Sequence, residues 1–191
     1  MSSRACELSI VLATYNRRDV VLATLHRLYG LGDEVRGAEI IVVDNASTDG
    51  TAGAIAQRFP AACMPLKQNL GACAKALAAD IARGELVVFL DDDSYPRPGT
   101  LTAMRAHLDR DPKLGAVRCH AHLPDGRREC CAFPNVFIGC GVGFRRTALA
   151  AAGGLDRTLF MQAEEYDLSF RLIHAGFDVR TCDDLHVDHL K

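Results

Sequence analysis

Three consecutive aspartates, Asp91-Asp92-Asp93, follow directly on the apolar run Leu86–Leu90 (LVVFL). Adjacent carboxylates repel one another, and keeping them together costs stability unless a cation compensates. A hard divalent ion, Mg2+ or Mn2+, held by one or two carboxylates and by diphosphate oxygens, is the natural partner of such a group. Alternation along an extended segment sets Asp91 and Asp93 on one side and Asp92 on the other. An exposed acidic turn is the plainer alternative. A second acidic group, Glu164-Glu165-Tyr166-Asp167, stands where a helix is expected to begin. Carboxylates there complement the helix dipole. The apolar Leu159-Phe160-Met161 before them would also keep one carboxylate partly dry, a setting that suits a general base. Two further polar groups, Thr14-Tyr15-Asn16-Arg17 and Asp44-Asn45-Ala46-Ser47, close apolar runs of their own. Any one of these groups reads as a helix cap or turn. Three of them ending neighbouring strands read as a ligand site.

The elements that must carry these residues alternate along the chain. Leu8–Ala13, Glu39–Val43 and Leu86–Leu90 are short, continuous apolar runs of the kind expected of parallel strands covered on both faces. Between and after them, helical spacing is read over 20–31, 51–59, 69–82 and 99–108, with Cys63–Leu66 as a further short apolar segment. This order implies an α/β fold with a doubly wound, mostly parallel sheet, whose ligands bind beyond the carboxyl ends of the strands. The later part is less regular. Strands are expected over 114–122, 135–144 and 179–189, helices over 147–152 and 164–175, and a turn at Pro124-Asp125-Gly126.

Composition excludes several classes. With 191 residues, 49% of them hydrophobic and 24% charged, the chain suits a single globular domain rather than a disordered one. Its formal net charge of −2 gives no general attraction for nucleic acid or an acidic membrane. No apolar run reaches the roughly 20 residues of a membrane span, and MSSRACELSIVLATYN lacks the marks of a secretory signal. Most of the eight cysteines sit in apolar or alanine-rich stretches, as Cys63, Cys73, Cys140 and Cys182 do, where they read as small hydrophobes. A zinc site from Cys119, His120, His122, Cys130 and Cys131 matches no common knuckle spacing, so reduced, non-ligating residues and a cytoplasmic location are expected. The first strand turn, TYNRRD, is neither the G-x-G-x-x-G of a dinucleotide site nor a Walker loop. The glycine-dense segment 139–144 reads as a strand that must approach something closely.

Taken in order, SIVLATYNR, EIIVVDNASTDGT, NLGACAKA, VVFLDDDSYPRPG, GCGVGFRRTAL, GGLDRTLFMQAEEYDLSFRLIHAGF and the closing HVDH resemble the family 2 inverting glycosyltransferases of the GT-A fold. The resemblance implies one domain over 1–191, with a nucleotide-binding part to about residue 110 and an acceptor and catalytic part beyond it. It implies that Thr14, Tyr15, Arg17 and Asp44 line the pocket for base and ribose, and that Asn69, Gly71 and Lys75 close over the nucleotide. Asp91 and Asp93 would be the outer members of a D-x-D motif, Asp91 toward the ribose and Asp93 on the metal, with Asp92 between them. His189 would join the metal side, ahead of His186, and Glu165 would be the base, with Glu164 as its alternate. Asp167 and Arg171 would tie down the same helix.

The activity so implied is transfer from a UDP- or dTDP-sugar to an acceptor hydroxyl, assisted by Mn2+ or Mg2+. The acceptor is open among glycans, lipid-linked or not, proteins and small molecules. Peripheral membrane contact is compatible with family members that continue past the point where this chain stops. A nucleotide-sugar-binding module without catalysis and a nucleotidyltransferase of related fold are the competing readings.

Overall fold

The computed structural model describes residues 7–129, 131 and 133–191. Three parallel strands, β1 (Leu8–Thr14), β2 (Glu39–Asp44) and β4 (Leu86–Asp91), form its centre, with β3 (Ala62–Pro65) outside β2. Their continuous apolar sequence is explained by burial on both faces. Ile10, Leu12, Ile40, Val42, Val88 and Leu90 point into one core, while Val11, Ile41, Val43, Val87 and Phe89 point into another. Helices α1 (Arg18–Tyr29) and α4 (Thr100–Arg110) cover the first face through Val21, Leu25, Leu101 and Met104. On the second lie α3 (Ala74–Ile81), α5 (Arg146–Ala151) and α6 (Glu164–His174), through Ala74, Ala78, Leu149, Leu168 and Leu172. Helix α2 (Thr51–Arg58) links β2 to β3.

Beyond β4 the sheet changes character. Its order is β3-β2-β1-β4-β8-β6-β9-β5, where β8 (Val142–Arg145) runs antiparallel to both β4 and β6 (Leu114–His122). β9 (Asp178–His189) runs parallel to β6, while β5 (Ser94–Pro96) and the two-residue β7 (Arg128–Glu129) pair antiparallel with β9 and β6. The mixed sheet flanked by helices is the α/β architecture expected from the sequence.

Two features of this topology position the site. In the register of the parallel strands, Thr14 faces Asp44, and Ala13 faces Asp91, so the three carboxyl ends lie level. The sheet order reverses between β1 and β4, which is where open α/β sheets leave a crevice. The chain also leaves β4 at Asp91 and enters β5 at Ser94, a span of roughly 10 Å at most. Because β5 pairs with the end of β9, the far edge of the sheet is drawn back beside β4, and Ser94 lies opposite His189. That short link brings a residue from the end of the chain to the aspartates.

Several boundaries differ from expectation for local reasons. The helix expected over 69–82 begins only at Ala74, after a 3-10 turn at Gly71–Cys73. Asn69 and Asn45 side chains hold the preceding backbone instead, and Gly71 has φ +65°. The strand expected over 135–144 is limited to β8. Gly141 packs so tightly on Val187 that a Cβ would stand 2.8 Å from its methyl carbon, which supplies the close approach expected of the glycines. β5 and β7 are too short to leave a periodic signal. Cys119 faces the core while His120 and His122 lie on the other face of β6, so these three do not converge as a knuckle; Cys130 lies outside the described residues. Among the described residues no helix is long and apolar enough to cross a membrane.

Candidate active site

The polar ends of β1 and β4, the segment before α3 and the start of α6 enclose one cavity of about 520 Å3. Thr14, Tyr15, Arg17, Asn69, Gly71, Lys75, the three aspartates, Glu164, Glu165 and His189 all line it. Asp44 is not among its lining residues. It is buried, and its carboxylate accepts the Ser47 backbone N–H at 3.0 Å, so it shapes the turn after β2. Asn45 takes the place beside the cavity, its amide donating to the Gly71 carbonyl at 3.0 Å and its carbonyl accepting the Leu70 N–H at 3.2 Å.

Each aspartate has its own partner. Asp91 accepts from the buried Lys75 Nζ at 2.5 Å, and that ammonium also donates to the Gly139 carbonyl at 3.1 Å. Asp92 accepts from Thr14 Oγ1 at 2.7 Å and Arg17 at 2.6 Å. Asp93 accepts from Arg17 at 2.8 Å and lies 3.2 Å from His189 Nε2. The alternation expected of an extended segment ends at Asp91, because Ser94 Oγ accepts the Asp91 N–H at 2.9 Å and closes a turn through Asp92 and Asp93. The charge compensation that the triplet demands therefore comes in part from the protein's own cations.

These contacts separate the acidities of neighbours. Burial raises the Asp92 carboxyl above its ordinary value despite Thr14 and Arg17. Burial also works against the Asp93 carboxylate, but His189 and Arg17 overcome it and hold Asp93 well below the usual range. Burial by itself would lower His189; hydrogen bonds to Asp93, Cys140 and Glu129 instead push it up to about 11. The resulting imidazolium lies 2.7 Å from Glu129 Oε2 and 3.7 Å from Asp91 Oδ2, a positive charge ringed by carboxylates. The carboxylates around it, with His189 once its Nε2 proton is lost, form an oxygen-rich donor set that fits a divalent cation, for which Asp91, Asp93 and His189 are the candidate holders. Cys140 Sγ stands with Asp91 and His189, all three ligand atoms within 4.8 Å of one another. It is buried as expected of a small hydrophobe, yet its thiol faces polar neighbours. His186 lies on the opposite face of β9, 3.0 Å from His122, and takes no part.

The acidic pair at α6 is set by a strained entry. Gln162 and Ala163 both have positive φ, +63° and +75°, conformations that cost non-glycine residues energy and that cluster at functional sites. Glu164 is buried, its carboxyl is raised by that burial, and among the described residues its Oε2 has no hydrogen-bond partner. Glu164 lines the cavity, and a buried acceptor left unpaired there is suited to a ligand hydroxyl. Glu165 is half-buried and stands across from Lys75, near Gly139. Arg171 donates to Asp167 at 3.0 Å and to the Ala152 carbonyl, fixing the helix. Glu129 is the site residue that the sequence does not announce, whereas Asn45 belongs to the DNAS group at the end of β2 and Gly139 and Cys140 to the glycine-dense segment expected to make a close approach.

The profile of the family described as "Glycosyl transferase family 2" matches residues 9–129, well over half of the chain. An Escherichia coli protein named UDP-Glc:alpha-D-GlcNAc-diphosphoundecaprenol beta-1,3-glucosyltransferase WfaP is 34% identical over 90 residues, 46% of this chain and 35% of the relative. The N-acetylglucosaminyl-diphospho-decaprenol L-rhamnosyltransferase of Mycobacterium tuberculosis is 27% identical over 194 residues, 74% of this chain and 63% of the relative. The chain thus spans less than two thirds of the length of either relative. Among solved structures, a Pyrobaculum calidifontis mannosyltransferase in complex with GDP-Man and Mn2+ superimposes with a TM-score of 0.77 at 24% identity, covering 98% of this chain and 57% of that one. GalNAc-T7 with UDP, GalNAc and Mn2+ gives a TM-score of 0.81 at 14% identity, covering 100% and 45%.

Proposed function

The chain belongs to glycosyl transferase family 2 and has the GT-A fold, and on that premise we propose that its cavity transfers a sugar from a UDP- or dTDP-sugar to an acceptor hydroxyl with inversion at the anomeric carbon. The observation that carries this reading is the facing of two unlike groups across one cavity: a cation-compensated aspartate cluster and an acidic pair at the start of α6. Family membership sets aside the nucleotidyltransferase alternative.

In this reading Thr14, Tyr15 and Arg17 receive the base and ribose, with Asp92 ordering Thr14 and Arg17 from behind. The backbone around Asn69 and Gly71, held by Asn45, closes over the nucleotide. Lys75 sets the Asp91 carboxylate and remains near the leaving diphosphate. Asp91, Asp93 and His189 would hold a divalent cation, which when bound would offset the charge growing on that leaving group. Glu165 accepts the proton of the acceptor hydroxyl as the hydroxyl oxygen bonds to the anomeric carbon and the bond to the diphosphate breaks. Glu164, beside it, accepts a hydrogen bond from a substrate hydroxyl. A single displacement needs no second nucleophile, and one base is enough.

The two curated relatives are named for acceptors of one kind, N-acetylglucosamine on a polyprenyl diphosphate. A lipid-linked acceptor suits the rim of this cavity, where Phe160 and Met161 are more than half exposed. Incubation with Mn2+, a panel of UDP-, dTDP- and GDP-sugars and a short-chain polyprenyl-diphosphate GlcNAc tests the reading. The expected result is transfer from a uridine or thymidine donor, with product NMR showing the anomeric configuration opposite to the donor's. Retention of configuration would contradict it.

A further inference from the structure

The mechanism above leaves one buried nucleophile of the site unused, the thiol of Cys140. The residue is 1% exposed, and its Sγ, an oxygen of Asp91 and a ring nitrogen of His189 lie within 4.8 Å of one another. Three residues from three separate strands or turns present an oxygen, a nitrogen and a sulfur to the same point. The histidine is oriented for ligation. Its Nδ1 lies against Glu129 Oε2 at 2.7 Å, which leaves Nε2 toward Asp93 Oδ1 at 3.2 Å and Asp91 Oδ2 at 3.7 Å. A carboxylate behind the non-ligating nitrogen is the recurrent support of metal-bound imidazole. Glu129 is itself held by Lys191. Asp91 and Asp93 each have one oxygen engaged by a side-chain cation, Lys75 at 2.5 Å and Arg17 at 2.8 Å, and the other left toward His189.

We propose that Cys140 is a direct ligand of the divalent cation, completing with Asp91 and His189 a mixed oxygen, nitrogen and sulfur site that prefers Mn2+, Co2+ or Zn2+ to Mg2+. The proposal rests on the metal-assisted reading of the cavity and sharpens it. Mg2+ keeps a near-octahedral shell of oxygens and gives up water reluctantly, whereas thiolate and imidazole favour softer ions. On ligation the S–H proton and the Nε2 proton pass to solvent, and a metal–sulfur and a metal–nitrogen bond take their places.

Cobalt(II) added to the purified chain with UDP, and without any acceptor, tests this apart from turnover. The expected result is a sulfur-to-cobalt charge-transfer band in the near ultraviolet that excess Mg2+ does not abolish. Cys140→Ser should lose the band and about tenfold or more in Co2+ affinity, while Cys182→Ser, which alters a buried thiol elsewhere, should keep both. X-ray absorption of the zinc-loaded wild-type protein needs no variant and should show a sulfur scatterer at about 2.3 Å. Bound metal with only oxygen and nitrogen scatterers would overturn the ligand assignment and leave the metal-assisted reading standing. No uptake of Co2+ or Zn2+ would overturn both. An intact sulfur band in a protein that transfers no sugar would support Cys140 and count against the transferase reading alone.

Discussion

At the scale of single residues, the aspartate triplet shows how one sequence signal resolves into three environments. Asp91 faces the cavity with Lys75, Asp92 is buried on Thr14 and Arg17, and Asp93 is drawn to His189. The triplet was legible as a charged site because three adjacent carboxylates directly after a buried strand call for a compensating cation, with an exposed acidic turn as the plainer alternative. Its division of labour was not legible, since that depends on Ser94 closing a turn and on a histidine nearly a hundred residues away. Thr14→Val leaves the buried Asp92 oxygen without its hydroxyl donor, and the expected loss is about 1–3 kcal/mol, read from a shifted denaturation midpoint. The His189 pKa is raised from 6.5 to about 11 in the fold, so its stabilisation is complete below 6.5 and lost as pH rises through about 11. In metal-free buffer the gap in melting temperature between wild type and His189→Gln should therefore narrow as pH climbs across that window. Asp93 acts in the opposite sense: its lowered pKa gives stability that is present above 3.8 and lost under more acidic conditions.

At the scale of elements, the strands buried on both faces were the most readable part of the chain, because a continuous run of β-branched residues has few other uses. The segments that close the cavity were less so. Residues 69–73 carry helix-favouring alanines nearby, yet Asn45 from another loop and Asn69 within the segment hold that backbone out of the α-helix through side-chain bonds. Tertiary contact overrode propensity there. Gly71 shows how tight the closure is: a Cβ on it would stand 1.9 Å from the Phe160 carbonyl oxygen, at a backbone φ of +65°. Gly71→Ala is expected to cost more than about 1 kcal/mol and to weaken nucleotide binding, measurable by chemical denaturation and by titration with UDP. A variant that folds and binds as the wild type would show that the contact with the Phe160 loop yields easily. β5, three residues ending in a proline, has no readable pattern, yet it links the triplet to β9.

For the whole molecule, placement of the cavity follows from topology. The crevice opens where strand order reverses between β1 and β4, and the return of β9 to β5 adds the final wall. The crevice, the fold class and the two long strands of the second half, β6 and β9, could be read from the sequence, whereas β5 and β7 and the bounds of β8 could not, because those strands are only two to four residues long. A ligand that binds only the folded state at about a hundred times its dissociation constant adds about 2.7 kcal/mol, which for a domain of this size raises the melting temperature by roughly 5–10 °C. UDP with Mn2+ should produce such a shift, and UDP with EDTA a smaller one. The most direct test of the account is transfer itself. Release of nucleoside diphosphate from a uridine or thymidine sugar donor, in the presence of Mn2+ and a polyprenyl-diphosphate acceptor, should be acceptor-dependent. It should fall by about 10²–10⁴-fold in Glu165→Gln while UDP binding is unchanged. Full transfer by Glu165→Gln, or nucleotide binding without any acceptor-dependent release in the wild type, would contradict it.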